Sequence, residues 1–165
     1  MVFRFSVPRE FEEAFAALDQ ALPTPGSRGA AEAQLYLRFP GLFRLRHMER
    51  PRMPISFEME CRPGWWPIIW RLCENLEREA CREWLSEHDD QWPAFRQIKE
   101  KYGTLKAYLR GNDRMRTLAK AAELCSARTG EVCGASGILR DEHAWVETLC
   151  DRCAASKDPW RQSRW

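Results

Sequence analysis

The chain contains no long apolar run. Its most hydrophobic stretch, GWWPIIW at residues 64–70, gives way to charges at once. That is far short of the roughly 18 residues a membrane span needs. The opening residues, MVFRFSVPREFEE, lack the basic flank, apolar stretch and cleavage site of a secretory signal. Net charge is only +2, so no global field draws the protein to nucleic acid. No segment repeats and no tract is of low complexity. The seven cysteines are odd in number, which suits thiols or metal ligands better than a disulfide framework. These absences predict a soluble, cytoplasmic protein with no membrane partner. Eight tryptophans and eight phenylalanines among 165 residues then supply enough apolar surface for a genuine core.

Periodicity predicts an α+β protein, with small antiparallel sheets packed against two to three helices. Phe11, Phe15, Leu18 and Leu22 share a helical face after Pro8, and PTPGSRG at 23–29 reads as a loop. QLYLRF (34–39) and LFRLRHM (42–48) flank Pro40-Gly41 as a β-hairpin, and ISFEMEC (55–61) alternates as a third strand. The clearest helix follows, with Pro67 in its first turn and an apolar stripe of Ile69, Leu72, Cys73, Leu76, Ala80 and Trp84. AFRQIKEKYGTLKAYLRG reads as two strands about Tyr102-Gly103-Thr104. Asp113 reads as the N-cap of a helix over about 114–127, with Cys125 on its core face. The expected divisions are an N-terminal portion (1–60), a helix–hairpin–helix body (61–127) and a C-terminal knuckle module (128–165).

That module carries the most specific chemistry. Cys150 and Cys153 form a complete Cys-x-x-Cys, and a tetrahedral thiolate site wants a second one upstream. In RTGEVCGASG (128–137), Cys133 stands where the second cysteine of such a knuckle belongs, but Gly130 occupies the place of the first. Zinc accepts Cys or His, so Cys125 and His143 are both candidates for a fourth ligand. Without either, the site would be open or vestigial. Gly130 is expected to keep the tight turn through a positive φ.

From Gly64 onward the chain resembles small proteins of unknown function found in phages, prophages and many bacterial genomes. The resemblance rests on GWW (64–66), RLCENLE (71–77), QIKEKYGTLKAYL (97–109), AAELCSARTGEVCGASG (121–137) and WVETLCDRC (145–153). It implies a zinc-ribbon-like module, with a cysteine where this chain has Gly130. It implies no reaction. The phage habit points to a non-enzymatic protein that binds a host protein or a protein–nucleic-acid complex, for instance to inhibit a host defence system. A toxin-neutralising immunity protein is another form of that reading.

The other functional class is a nucleic-acid-binding regulator. Arg38, Arg44, Arg46, Arg50 and Arg52 crowd into residues 38–52 with aromatic neighbours, as a phosphate-binding hairpin would. The bland alternative is a solvated outer face over a packed inner one. Trp160 and Trp165, flanked by Arg161 and Arg164, are either partner anchors or docked back on the body. Glu87-His88-Asp89-Asp90 places an imidazole beside carboxylates, but no nucleophile or phosphate loop accompanies it. Lys99 and Lys101 read as the charged outer face of a strand, or as a phosphate contact.

Overall fold

The segment read as a β-hairpin is helical. In the computed structural model, which describes residues 9, 28–47, 59–141 and 145–156, α1 spans Arg28–Arg38 and a 3-10 turn spans Arg44–His47. Ala31, Leu35 and Phe39 recur every four residues and are buried, whereas Leu37, which a strand would place on one face with Leu35 and Phe39, is 82% exposed. The run Ala30-Ala31-Glu32-Ala33-Gln34-Leu35 is strong helix former, and it overrides the short alternation of QLYLRF. The turn after α1 is anchored to the next layer, because Phe95 N–H donates to Leu42 O at 2.8 Å. Phe43 meets Tyr36 and Phe95 at ring separations of 5.0 and 5.1 Å.

Of the strand expected over 55–61, β1 comprises Met59–Glu60, with Met59 and Cys61 buried. Ile55 and Phe57 lie outside the described residues, as does the helix expected after Pro8. α2, Trp66–Arg82, then crosses to β2, Ala94–Lys101, which turns into β3, Thr104–Arg110. The sheet order is β1-β2-β3. β2 and β3 are antiparallel as expected, but β1 runs parallel to β2, with Met59 opposite Ile98. A helix between two paired strands permits that parallel arrangement, so this sheet is mixed rather than antiparallel.

Pro67 sits in the first turn of α2, and Ile69, Leu72, Cys73, Leu76 and Ala80 are buried on its inner face. Trp70 is half-buried, edge-on to Phe39 at 5.1 Å. Trp84, expected on the same stripe, is 93% exposed. Its φ of 58° is left-handed, while Trp84 N–H reaches Cys81 O and Leu85 N–H reaches Ala80 O. That is a Schellman end with tryptophan in the usual glycine position, and it swings the ring away from the core.

α3 spans Asp113–Ser126, and its N-cap is Asn112 rather than Asp113: the Asn112 amide oxygen accepts from Met115 N–H. Met115, Leu118, Ala121 and Ala122 are buried between α2 and β3. The side chains from α1, α2, α3 and the three-stranded sheet form one core. Two short antiparallel strands, β4 (Ile138–Arg140) and β5 (Glu147–Leu149), and a last turn of helix, α4 (Asp151–Ala155), complete an α+β fold. No helix among the described residues is long and apolar enough to cross a membrane.

Candidate metal centre

The two knuckles meet. The first is a loop closed by the Thr129–Ser136 bridge, in which Gly130 N–H donates to Ala135 O at 2.7 Å and Gly134 N–H to Gly130 O at 2.8 Å. The left-handed residue of this turn is Gly134, with φ of 74°, not Gly130 as expected. The second knuckle runs from β5 into α4, with Cys150 as N-cap and its sulfur accepting from Cys153 N–H at 3.4 Å. Arg140 on β4 braces it by pairing with Asp151 and donating to Leu149 O.

Cys133, Cys150 and Cys153 consequently place their sulfurs within 4.8 Å of one another, with Cys133 and Cys150 3.5 Å apart. A tetrahedral ion with metal–sulfur bonds of about 2.3 Å requires sulfurs about 3.8 Å apart, so the set fits an ion with small adjustments. Cys133 is exposed and the other two are half-buried. Hydrogen bonds from the Cys153 backbone and from the Cys153 and Cys133 thiols draw the Cys150 thiol down to about 7. Burial, together with the neighbouring thiols and their charges, pushes Cys153 up to about 12. A thiol drawn down in this way is readily deprotonated, and binding a metal would expel the remaining protons.

The body clamps this loop at Gly64-Trp65. Gly64 N–H donates to Glu131 O at 2.7 Å, and the buried Trp65 indole donates to Thr129 O at 2.7 Å. Glu131 and Glu147 are themselves buried. Arg62 binds both, its N–H reaching Glu131 at 3.3 Å and its guanidinium pairing with Glu147 at 3.1 Å. A buried charge set of this kind holds only when its members stay paired. Sequence reading missed it, although a glutamate inside a knuckle loop was a usable signal. The β2–β3 turn is a third support: Thr148 hydroxyl donates to Gly103 O at 2.6 Å, and Ser126 hydroxyl accepts from Leu105 N–H at 2.8 Å.

Cys125 does not join the thiol cluster; it is half-buried against the core. His143, Arg50, Arg52, Trp160 and Trp165 lie outside the described residues. The remaining arginines have local duties. Arg38 pairs with Glu77 at 3.0 Å, and burial of that carboxyl outweighs the arginine and raises its pKa. Arg44 donates to the carbonyls of Gly41, Trp92 and Pro93, bridging the first turn to β2. Burial, with Arg110 nearby, lowers its pKa. Arg46 stacks 4.5 Å over Tyr36. Glu87, His88, Asp89 and Asp90 lie in an exposed loop, where Asp89 accepts from Ser86 N–H. Set against known proteins, the chain matches no protein-family model, no curated protein and no solved structure.

Proposed function

We propose that this chain is a non-enzymatic binding protein whose C-terminal module is organised by a structural zinc ion. The observation that carries the reading is the convergence of Cys133, Cys150 and Cys153 from two loops onto one point. Three soft thiolates at tetrahedral spacing favour zinc over the hard, oxygen-seeking cations. His143 is the fourth ligand in this reading, since it lies on the connection between β4 and β5, while Cys125 is engaged with the core. The ion would fix the geometry of the two knuckles and supply no reaction.

A protein partner, alone or in a complex with nucleic acid, is the proposed target. Ile138, Leu139 and Trp145 are more than half exposed beside the knuckles, and among the described residues β4 pairs on one side only, with β5. Exposed apolar side chains on an edge strand suit docking of another chain. The phage and prophage setting of the proteins it resembles makes a host-defence component one such target.

Elemental analysis of the purified protein tests the metal. About one equivalent of zinc is expected, with a melt that falls on chelation and a C-terminal module that unfolds in Cys150→Ser. Less than about a tenth of an equivalent, with a chelator-insensitive melt, refutes it. Leu139→Asp should abolish capture of a partner without changing zinc content.

A further inference from the structure

Away from the thiols, cationic side chains converge on the outer face of β2–β3 and on the cleft between this hairpin and α3. Lys99 and Lys106 stand directly opposite one another in the antiparallel register. Like charges placed so are destabilising without an anion between or beside them. Lys106 and Lys120 share a single carboxylate, Glu123, at 2.6 and 2.7 Å. The adjoining cleft, about 420 Å³, is lined by Lys101, Lys106, Arg116 and Lys120 together with Tyr102 and Tyr108. The neighbouring acids are Glu123, Asp113, which pairs with Arg116 at 2.5 Å, Glu60, opposite Lys99 on β1, and Glu100, which accepts from Gly103 N–H at the turn. Cations therefore outnumber carboxylates here, on a protein of almost neutral total charge.

The aromatic side chains are placed among these charges. Tyr108 is 43% exposed, with Lys99 Nζ 5.7 Å from its ring centre. Tyr102 is 74% exposed, with Lys101 Nζ 5.4 Å from its ring. Tyr102 has φ of 54° and Gly103 φ of 71°, so both central residues of this two-residue turn are left-handed. Such a turn prefers Asn-Gly, and a bulky ring in the first position is held there against its own backbone preference. Thr148 pins the turn through Gly103 O, which keeps the ring projected at the cleft mouth.

We propose that this face binds single-stranded nucleic acid, with phosphates along Lys99, Lys101, Lys106 and Lys120 and bases stacked on Tyr108 and Tyr102. Charge complementarity selects a polyanion, and exposed rings beside lysines select one whose bases are unpaired. This is a different surface from the arginine segment at 38–46, where Arg38 and Arg44 are engaged within the protein. It contains no thiol, so its failure would leave the zinc reading standing.

The test is fluorescence anisotropy of the full chain with a labelled oligothymidylate of about 15 nucleotides, compared with a duplex of equal length. Salt is varied from about 50 to 200 mM. Expected are preference for the single strand and an affinity that falls with salt at about 0.7 logarithmic units per phosphate engaged. Lys99→Glu with Lys101→Glu should weaken binding by more than about tenfold and flatten that slope. Tyr108→Ala should weaken it by about 5- to 150-fold, Tyr108→Phe should restore it, and Arg38→Ala should leave it unchanged. The Phe variant guards against a loss that reflects folding alone. No binding at low salt, equal affinity for the duplex, or parental affinity in the lysine and Tyr108→Ala variants would each overturn the proposal.

Discussion

Replacing Gly64 by alanine adds one methyl group at the junction of α2 and the first knuckle. A Cβ there would lie 2.2 Å from Gly130 O, 2.5 Å from Glu131 O and 2.5 Å from Gly134 N. All three are backbone atoms of the loop that carries Cys133, so no side-chain rotation relieves the overlap. Either the loop or the start of α2 must move. The overpacking costs about 1–3 kcal/mol. Two hydrogen bonds across the same junction, Gly64 N–H to Glu131 O and Trp65 indole to Thr129 O, weaken with it at about 1 kcal/mol each. The expected total is about 3–5 kcal/mol, or a fall in Tm of roughly 6–20 °C for a chain of this size. Urea melts of parent and variant measure it. Gly29→Ala in α1 is the control: its Cβ meets nothing within 4 Å, so it should stabilise by about 0.5–1 kcal/mol. A Gly64→Ala midpoint equal to the parent's would refute the claim that α2 and the knuckle form one rigid junction.

Leu76→Ala empties a fully enclosed site in the core between α2 and α3, and chemical denaturation should show a loss of about 2–5 kcal/mol. Glu123 is partly buried, which would raise its pKa, but its hydrogen bonds and charge contacts with Lys106 and Lys120 prevail and lower it. Its stabilising contribution is thus full above the ordinary carboxylate value of about 4.3 and is lost as pH falls through the lowered folded value. Glu123→Gln should therefore flatten the acid limb of a stability-versus-pH curve, and an unchanged limb would count against the two lysine contacts. Gly130→Cys should tighten zinc binding in competition with a chromophoric chelator, because the new Cβ would lie 3.7 Å from Cys133 Sγ with no contact under 3.3 Å. Unchanged affinity would mean that position 130 does not face the ion.

The elements legible in the sequence were those in which pattern and local propensity agreed. α2, the β2–β3 hairpin and α3 all lie where periodicity put them, and the apolar stripe named on α2 is buried apart from Trp84. Residues 34–47 were misread because two signals conflicted. Alternation over six residues suggested a strand, while the alanine-rich lead-in at 30–35 supported a helix. A four-residue recurrence, Ala31, Leu35 and Phe39, was present to arbitrate. The parallel pairing of β1 was not legible, since it depends on where α2 returns the chain rather than on any residue in Met59 or Glu60.

The site was legible in a different way. Spacing located Cys150 and Cys153, and the truncated knuckle located Cys133, although 16 residues separate it from the nearer partner. What spacing could not supply was the clamp. Gly64-Trp65, Arg62, Glu131 and Glu147 come from segments far apart in the chain and meet only because the body folds against the loop. The same clamp accounts for a knuckle that stays formed around a glycine. Gly134 takes the left-handed turn, so position 130 needs no special backbone freedom. The loop at 130–134 is then held by Gly64, by Thr148 O through Glu131 N–H and by its own internal hydrogen bonds, none of which involves the side chain at 130. A residue without a thiol at position 130 therefore does not disturb the turn, and Cys133, Cys150 and Cys153 converge without a fourth cysteine in their cluster among the described residues.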